Sequence, residues 1–280
     1  MKRIKTPDEL SRRSFVAAAM SAGLGAATGE ALPIVETDVA VKTPDGVCDA
    51  VLTYPAKGKY PGVLIWPDSN GLSPSFREIG KRLAGAGYVV LIPNHLYRAA
   101  KAPVFPQKFD PPNNPADMEF YKRVSAPHFA SGAVERDTQA FIAFLEAQPQ
   151  VNRKKKLGVA GYCLGGGYVL KTAAQFPDRI GAGVSFHGGG FFRNKFRKYE
   201  DSPHHAIPKI KARLYLAVAS DDDQREPEVK DQLKAAFVAA HVSAEIEVHP
   251  NTRHGWCVPG NTAEAARAWG KLLALYKAAL

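Results

Sequence analysis

Gly161-Tyr162-Cys163-Leu164-Gly165-Gly166 stands between a short apolar run, Leu157 to Ala160, and a helix-like stretch that runs to Gln175. A thiol therefore occupies the corner between a strand and a helix. In elbows of the G-x-nucleophile-x-G type the glycines permit a sharp, strained turn, which lifts the nucleophile to the top of the sheet and aims the next backbone N–H at a developing oxyanion. Cysteine in that slot means thiolate attack on an electrophilic carbon. Taken alone, Cys163 also reads as a buried structural cysteine at a glycine-rich corner.

A thiol nucleophile needs a base, and the base needs a group that orients it. In hydrolases of the α/β type these groups follow in the order nucleophile, acid, histidine, each at the carboxyl end of a strand. Asp221-Asp222-Asp223 follows a strand-like run ending at Ala219, and His254 follows one ending at Val248. An acidic triplet is commonly a solvated turn, but one member facing inward suffices. His187, His204, His205 and His241 have no comparable placement in the sequence.

The elements that must position these groups follow from periodicity. Val47 to Tyr54 alternates and reads as an antiparallel strand; Gly62 to Trp66 is apolar throughout, as in a strand buried on both faces. Phe76, Ile79, Leu83 and Ala86 recur at helical spacing before strand Tyr88 to Pro93, which completes a βαβ unit. The pattern continues with helix 133–147, strand 157–160, the elbow and its helix, strand 180–186, strand 214–219, helix 227–240, strand 244–248 and helix 262–279. Such alternation predicts one mostly parallel sheet with helices on both faces and a ligand site beyond the strands' carboxyl ends. The stretch Asn94 to Pro127 holds six prolines and no clear period, so it is expected to be a lid-like cover or a surface loop. A second irregular stretch runs from Gly188 to Pro208.

With 280 residues, 45% hydrophobic and 23% charged, the chain suits one large α/β domain over residues 33–280. Its net charge of +10 is spread without a basic helix face, and the densest run, Arg153-Lys154-Lys155-Lys156, lies in a loop, so no nucleic-acid partner is expected. No stretch of about 18 apolar residues exists to span a membrane. Residues 1–32 read as an address: Ser11-Arg12-Arg13-Ser14-Phe15-Val16 fits the twin-arginine pattern, and Ala17 to Ala27 is a mild apolar run after it. The expectations are export of the folded protein by the twin-arginine translocase, a periplasmic or secreted location, and a mature start between Ala27 and Leu32. Three cysteines leave at least one unpaired, and Cys48 and Cys257 stand either as separate buried thiols or as a disulfide.

The elbow, the acidic turn and Asn251-Thr252-Arg253-His254-Gly255-Trp256, in that order, make the chain from about Val39 to Leu280 resemble the dienelactone hydrolase family, α/β-hydrolases in fold. The resemblance implies a cofactor-free, metal-free hydrolase of a small-molecule ester or lactone. It assigns Cys163 as nucleophile, His254 as general base and Asp222 as its orienting acid, since the family's acid stands about three residues beyond the strand. It also implies an acidic partner for the thiol after strand 62–66, where this chain has Asp68 in place of the usual glutamate, and an oxyanion hole from the N–H groups of Leu164 and Ser69. Founding members hold a substrate carboxylate with two arginines. Leu96-Tyr97-Arg98 offers one, shifted by a residue, while Val258 stands four residues beyond His254, where the second arginine belongs. Arg98 and Tyr97 are thus expected at the substrate, with Trp66, Tyr162 and Trp256 as candidates for an apolar pocket. Two other functions fit the same residues: a thiol redox protein with Cys257 resolving Cys163, and a non-catalytic periplasmic binding protein.

Overall fold

Two ten-residue strands, β1 (Ile34–Thr43) and β2 (Gly46–Pro55), form a hairpin that edges the sheet, closing at Gly46, whose φ of 140° suits glycine. The computed structural model describes residues 32–280 apart from 107, 110, 112, 193–197 and 259; the expected export segment lies outside the described residues except for Leu32. Strand β3 (Gly62–Trp66) is buried at every position, as its unbroken apolar run requires. Helix α1 (Pro74–Gly85) begins with proline at its first position and turns Phe76, Ile79 and Leu83 inward. Strand β4 (Val89–Pro93) returns, and helices α2 (Pro115–Ser125) and α3 (Ala133–Ala147) follow.

Strand β5 (Leu157–Tyr162) enters the elbow and α4 (Leu164–Gln175) leaves it. Then come β6 (Ile180–Phe186), β7 (Arg213–Ala219), the short α5 (Ser220–Arg225), α6 (Glu228–Ala239), β8 (Ala244–His249) and α7 (Ala263–Ala279). The sheet order is β1-β2-β4-β3-β5-β6-β7-β8, antiparallel where β2 meets β1 and β4 and parallel from β4 onward. Strand order reverses at β3, so the loops after β3 and β5 diverge and open a crevice at the carboxyl ends. This is the α/β-hydrolase fold.

One apolar cluster fills each face. Phe141, Leu145, Tyr168, Val169 and Phe237 pack on one side; Phe76, Leu83, Ala268, Leu272 and Tyr276 pack on the other. Burying such side chains stabilises by about 1.5–3 kcal/mol each, which fixes the helices on both faces and holds the strand ends still. Cys48 belongs to the first cluster and Cys257 to the second, so the sheet lies between them, and all three cysteines are free. No helix among the described residues is long and apolar enough to cross a membrane.

Three elements depart from the expectations. β1 precedes the first strand anticipated; it is an edge strand with mixed exposure, so its apolar signal is diluted. α2 lies inside the stretch expected to be irregular: the Asn114 side chain caps it by accepting from the Ala116 N–H at 3.0 Å, and Pro115 fixes its first turn. The acidic triplet is not a plain turn but the first turn of α5, where carboxylates suit the positive end of a helix.

Candidate active site

Cys163 sits at φ 52° and ψ −114°, in backbone space that costs a non-glycine residue about 1–3 kcal/mol. Its neighbours enforce this. The Cys163 N–H donates to the Phe186 carbonyl at 3.1 Å, and the Cys163 carbonyl accepts from Gly166 N–H at 3.0 Å and Gly189 N–H at 3.2 Å. A Cβ on Gly161 would stand 2.1 Å from the Gly165 carbonyl oxygen; one on Gly165 would stand 2.3 Å from that of Trp66 and 2.6 Å from that of Pro67. Glycine therefore lets the start of α4 press against the loop after β3, which carries Asp68 and Ser69. The Leu164 N–H, first in its helix, has no acceptor within the helix and is aimed along the axis at this junction.

The histidine and the acid come from two loops laced together. Ser220 Oγ donates to the Thr252 carbonyl at 2.8 Å and accepts from Thr252 N–H at 3.0 Å, so the chain after β7 is tied to the chain after β8. From that frame Asp221 Oδ1 accepts from the His254 backbone N–H at 2.9 Å, and Asp222 Oδ2 accepts from His254 Nδ1 at 2.7 Å. Asp223 instead pairs with Lys230 at 2.8 Å. Among the three acids, Asp222 alone reaches the ring; Asp221 holds the loop.

Nδ1 being taken, Nε2 is left to face Cys163, whose side chain lies near enough to raise the ring's pKa. The imidazole's partial burial pulls its pKa down, but the bond to Asp222 and the nearness of Cys163 prevail and lift it to about 10. The His254 side chain, paired with Asp222, is 35% exposed.

Asp68 is half-buried after β3, its Oδ1 accepting from the Asn70 N–H at 2.8 Å. Burial raises its pKa, opposed by that bond and by the charge of His254. Sequence reasoning missed two residues here. Tyr121, on α2, has its phenol pKa raised by burial first and then by Cys163, with Asp68 contributing, so α2 brings a hydroxyl into the field of the sulfur. The cap pair Asn114-Pro115 was the signal that could have revealed the helix. His187 directly follows β6, at φ 38°, fully buried, and its ring stands edge-on to that of His254 with centroids 5.0 Å apart. Both its nitrogens lack a hydrogen-bond partner among the described residues, and burial, with His254 adding, lowers its pKa to about 3, so it stays neutral.

The expected substrate contacts are placed otherwise. Arg98 is engaged by Asp137, whose side chain is fully buried, through bonds of 2.8 Å from each terminal nitrogen, and by Asp45 at 2.6 Å. Its fork is consumed inside the protein. Tyr97 donates to the same Asp137 at 2.9 Å and bonds Thr43. Trp66 is wholly buried, donating its indole N–H to Thr172 at 2.9 Å between Phe141 and Tyr168. Tyr162 is stacked on Phe186 in the opposite core cluster, and Trp256 lies against the ring of His249. These five are structural: four pack and one neutralises a buried acid. What does open beside the site is a cavity of about 210 Å³ bordered by His254, Asp222, the Gly188–Phe191 loop and α6.

The sequence pattern of the dienelactone hydrolase family matches residues 48–280. A carboxymethylenebutenolidase of Rhodococcus opacus is 25% identical over 77% of this chain and 80% of its own, and one of Pseudomonas putida is 28% identical over 60% and 67%. Among solved structures, a dienelactone hydrolase-like promiscuous phosphotriesterase from metagenomic libraries superposes with a TM-score of 0.69 at 20% identity, covering 88% of this chain and 99% of that one. Dienelactone hydrolase from Anabaena variabilis superposes at 0.57 and 20% identity, with the same coverage. With the pattern matched over most of its length, the chain belongs to the dienelactone hydrolase family.

Proposed function

We propose that this protein hydrolyses a carboxylic ester or lactone through Cys163. The observation that carries the reading is the position of His254, bonded through Nδ1 to Asp222 and close enough to Cys163 for that side chain to raise its pKa. With the proton already on His254 Nε2, as the ring's raised pKa implies, Cys163 Sγ attacks the carbonyl carbon as a thiolate. The oxyanion accepts from the N–H groups of Leu164 and Ser69, a pairing supported by the close packing of Gly165 on Trp66 and Pro67. Collapse breaks the carbon–oxygen bond, and the imidazolium returns its proton to the departing alkoxide. Water then adds to the thioester, giving its proton to His254, and the acid leaves with the sulfur restored. Asp222 keeps Nδ1 protonated and the ring in line throughout. Asp68, which feels the charge of His254, acts on the sulfur's charge as substrate enters.

Cys163→Ala, assayed on a panel of p-nitrophenyl esters, is expected to lose at least about 10³-fold in kcat. Wild-type turnover by that variant would sink the proposal. A redox role is less well supported: Cys257 is buried in the core cluster on the other face of the sheet, and burial pushes its thiol pKa far up, which ill suits a resolving cysteine. Export by the twin-arginine route to the periplasm or beyond is proposed as well, on Arg12-Arg13 and the apolar run after them.

A further inference from the structure

The leaving alcohol must lie against His254, because the ring delivers the proton to the departing oxygen. His254 borders the cavity of about 210 Å³ that runs between the loop after β6 and helix α6. Its apolar wall is Phe191, Val218, Val229 and Leu233, and the Gly188–Gly190 run brings bare backbone to one side. A cavity of about 150 Å³ holds benzene, so this one has room for a phenyl ring and a methylene.

The cations around it are already paired. Arg225 donates to Asp222 at 3.1 Å, and Lys230 pairs with Asp223 at 2.8 Å. Glu226, on the same rim, has no ion-pair partner among the described residues. A carboxylate entering here would have to break up an existing ion pair while facing Glu226, and Arg98, the arginine expected to receive it, is held by Asp137 and Asp45. We infer that the cavity is the leaving-group subsite and that it selects neutral apolar alcohols about the size of benzyl alcohol, rejecting those that carry a carboxylate. This rests on the ester hydrolysis proposed above.

Three acetates test it with the purified full-length enzyme: methyl acetate, benzyl acetate and 4-(acetoxymethyl)benzoate, whose leaving alcohols are of similar basicity. Benzyl acetate is expected to exceed both others in kcat/KM by roughly tenfold or more, the size of effect that filling a hydrophobic pocket produces. In Val229→Trp, which fills the cavity, the benzyl-to-methyl ratio is expected to collapse to within about threefold, with thermal melting confirming the fold. A carboxylate ester turned over as well as the benzyl ester overturns the inference, as does a folded Val229→Trp that keeps the ratio. Titration of wild-type protein with benzyl alcohol and with 4-(hydroxymethyl)benzoate, followed by NMR at Val218, Val229 and Leu233, reads the cavity without turnover. Shifts from the neutral alcohol alone support the subsite; equal shifts from both, or none, sink it. Absence of hydrolysis of all three esters together with selective binding of benzyl alcohol would sink the hydrolase reading, and with it the leaving-group role, while the cavity's preference for a neutral apolar alcohol would stand.

Discussion

Asp222 accepts from His254 Nδ1 at 2.7 Å while its other oxygen, Oδ1, is held by Arg225 at 3.1 Å, so the carboxylate is fixed from behind and the ring is fixed by the carboxylate. The arrangement spans two loops, one after β7 and one after β8. Its precision comes from the bonds between Ser220 and Thr252 rather than from either loop alone.

Asp222→Asn is expected to lower kcat by roughly 10³–10⁴-fold, because an amide does not hold the required tautomer. The same change should bring the His254 pKa down from about 10 towards its ordinary value of 6.5, followed by NMR. The sign of the stability effect follows. A histidine whose folded pKa is raised contributes stability in full below about 6.5 and loses it as pH climbs to about 10. Urea midpoints of the wild type should therefore fall across that window, and those of Asp222→Asn should fall less. Parallel slopes in the two proteins would show that Asp222 does not govern the ring.

Gly165→Ala is expected to disable the elbow, since the new Cβ would meet the Trp66 carbonyl oxygen at 2.3 Å, backbone that cannot swing aside. Its melting temperature should drop sharply or the protein fail to accumulate. Gly270→Ala is the counterpart: nothing lies within 4 Å of a Cβ there, in the middle of α7, and stability should rise by about 0.5–1 kcal/mol. Equal melting temperatures for both variants would contradict this account of the packing.

Arg98→Ala should act on stability. Removing the guanidinium strands the buried Asp137 carboxylate, at a cost of about 3–5 kcal/mol in chemical denaturation. The KM for a carboxylate-bearing ester, measured on the folded fraction, should stay within about threefold of wild type; a tenfold rise would return Arg98 to the substrate.

Replacing Arg12 and Arg13 together by lysine is expected to keep the protein in the cytoplasm of a bacterial host, as the twin-arginine receptor reads the pair as an address. Fractionation and blotting decide it, and unchanged arrival in the periplasm would remove the export proposal.

Much of the fold was written locally. Short apolar runs named β3 to β7, because burial on both faces leaves no polar interruption in a strand, and apolar stripes named α1, α3, α4, α6 and α7. The edge strand β1 and helix α2, both partly exposed, carry diluted patterns and were not legible in this way.

The sequence alone determined the order Cys163, acidic triplet, His254 and the place of each at a strand end, since those follow from motif and period. It did not determine which side chains near the motif serve the site and which serve the core. Arg98, by the family resemblance, and Trp66, as an aromatic of the expected pocket, look like substrate contacts, yet Asp137 and Thr172 claim them; His187 looked idle and lies against His254. Tertiary structure decided these because a hydrogen-bonding or apolar group goes to whichever partner best offsets its desolvation, and those partners, 39 and 106 positions away for Arg98 and Trp66, meet only when the sheet closes.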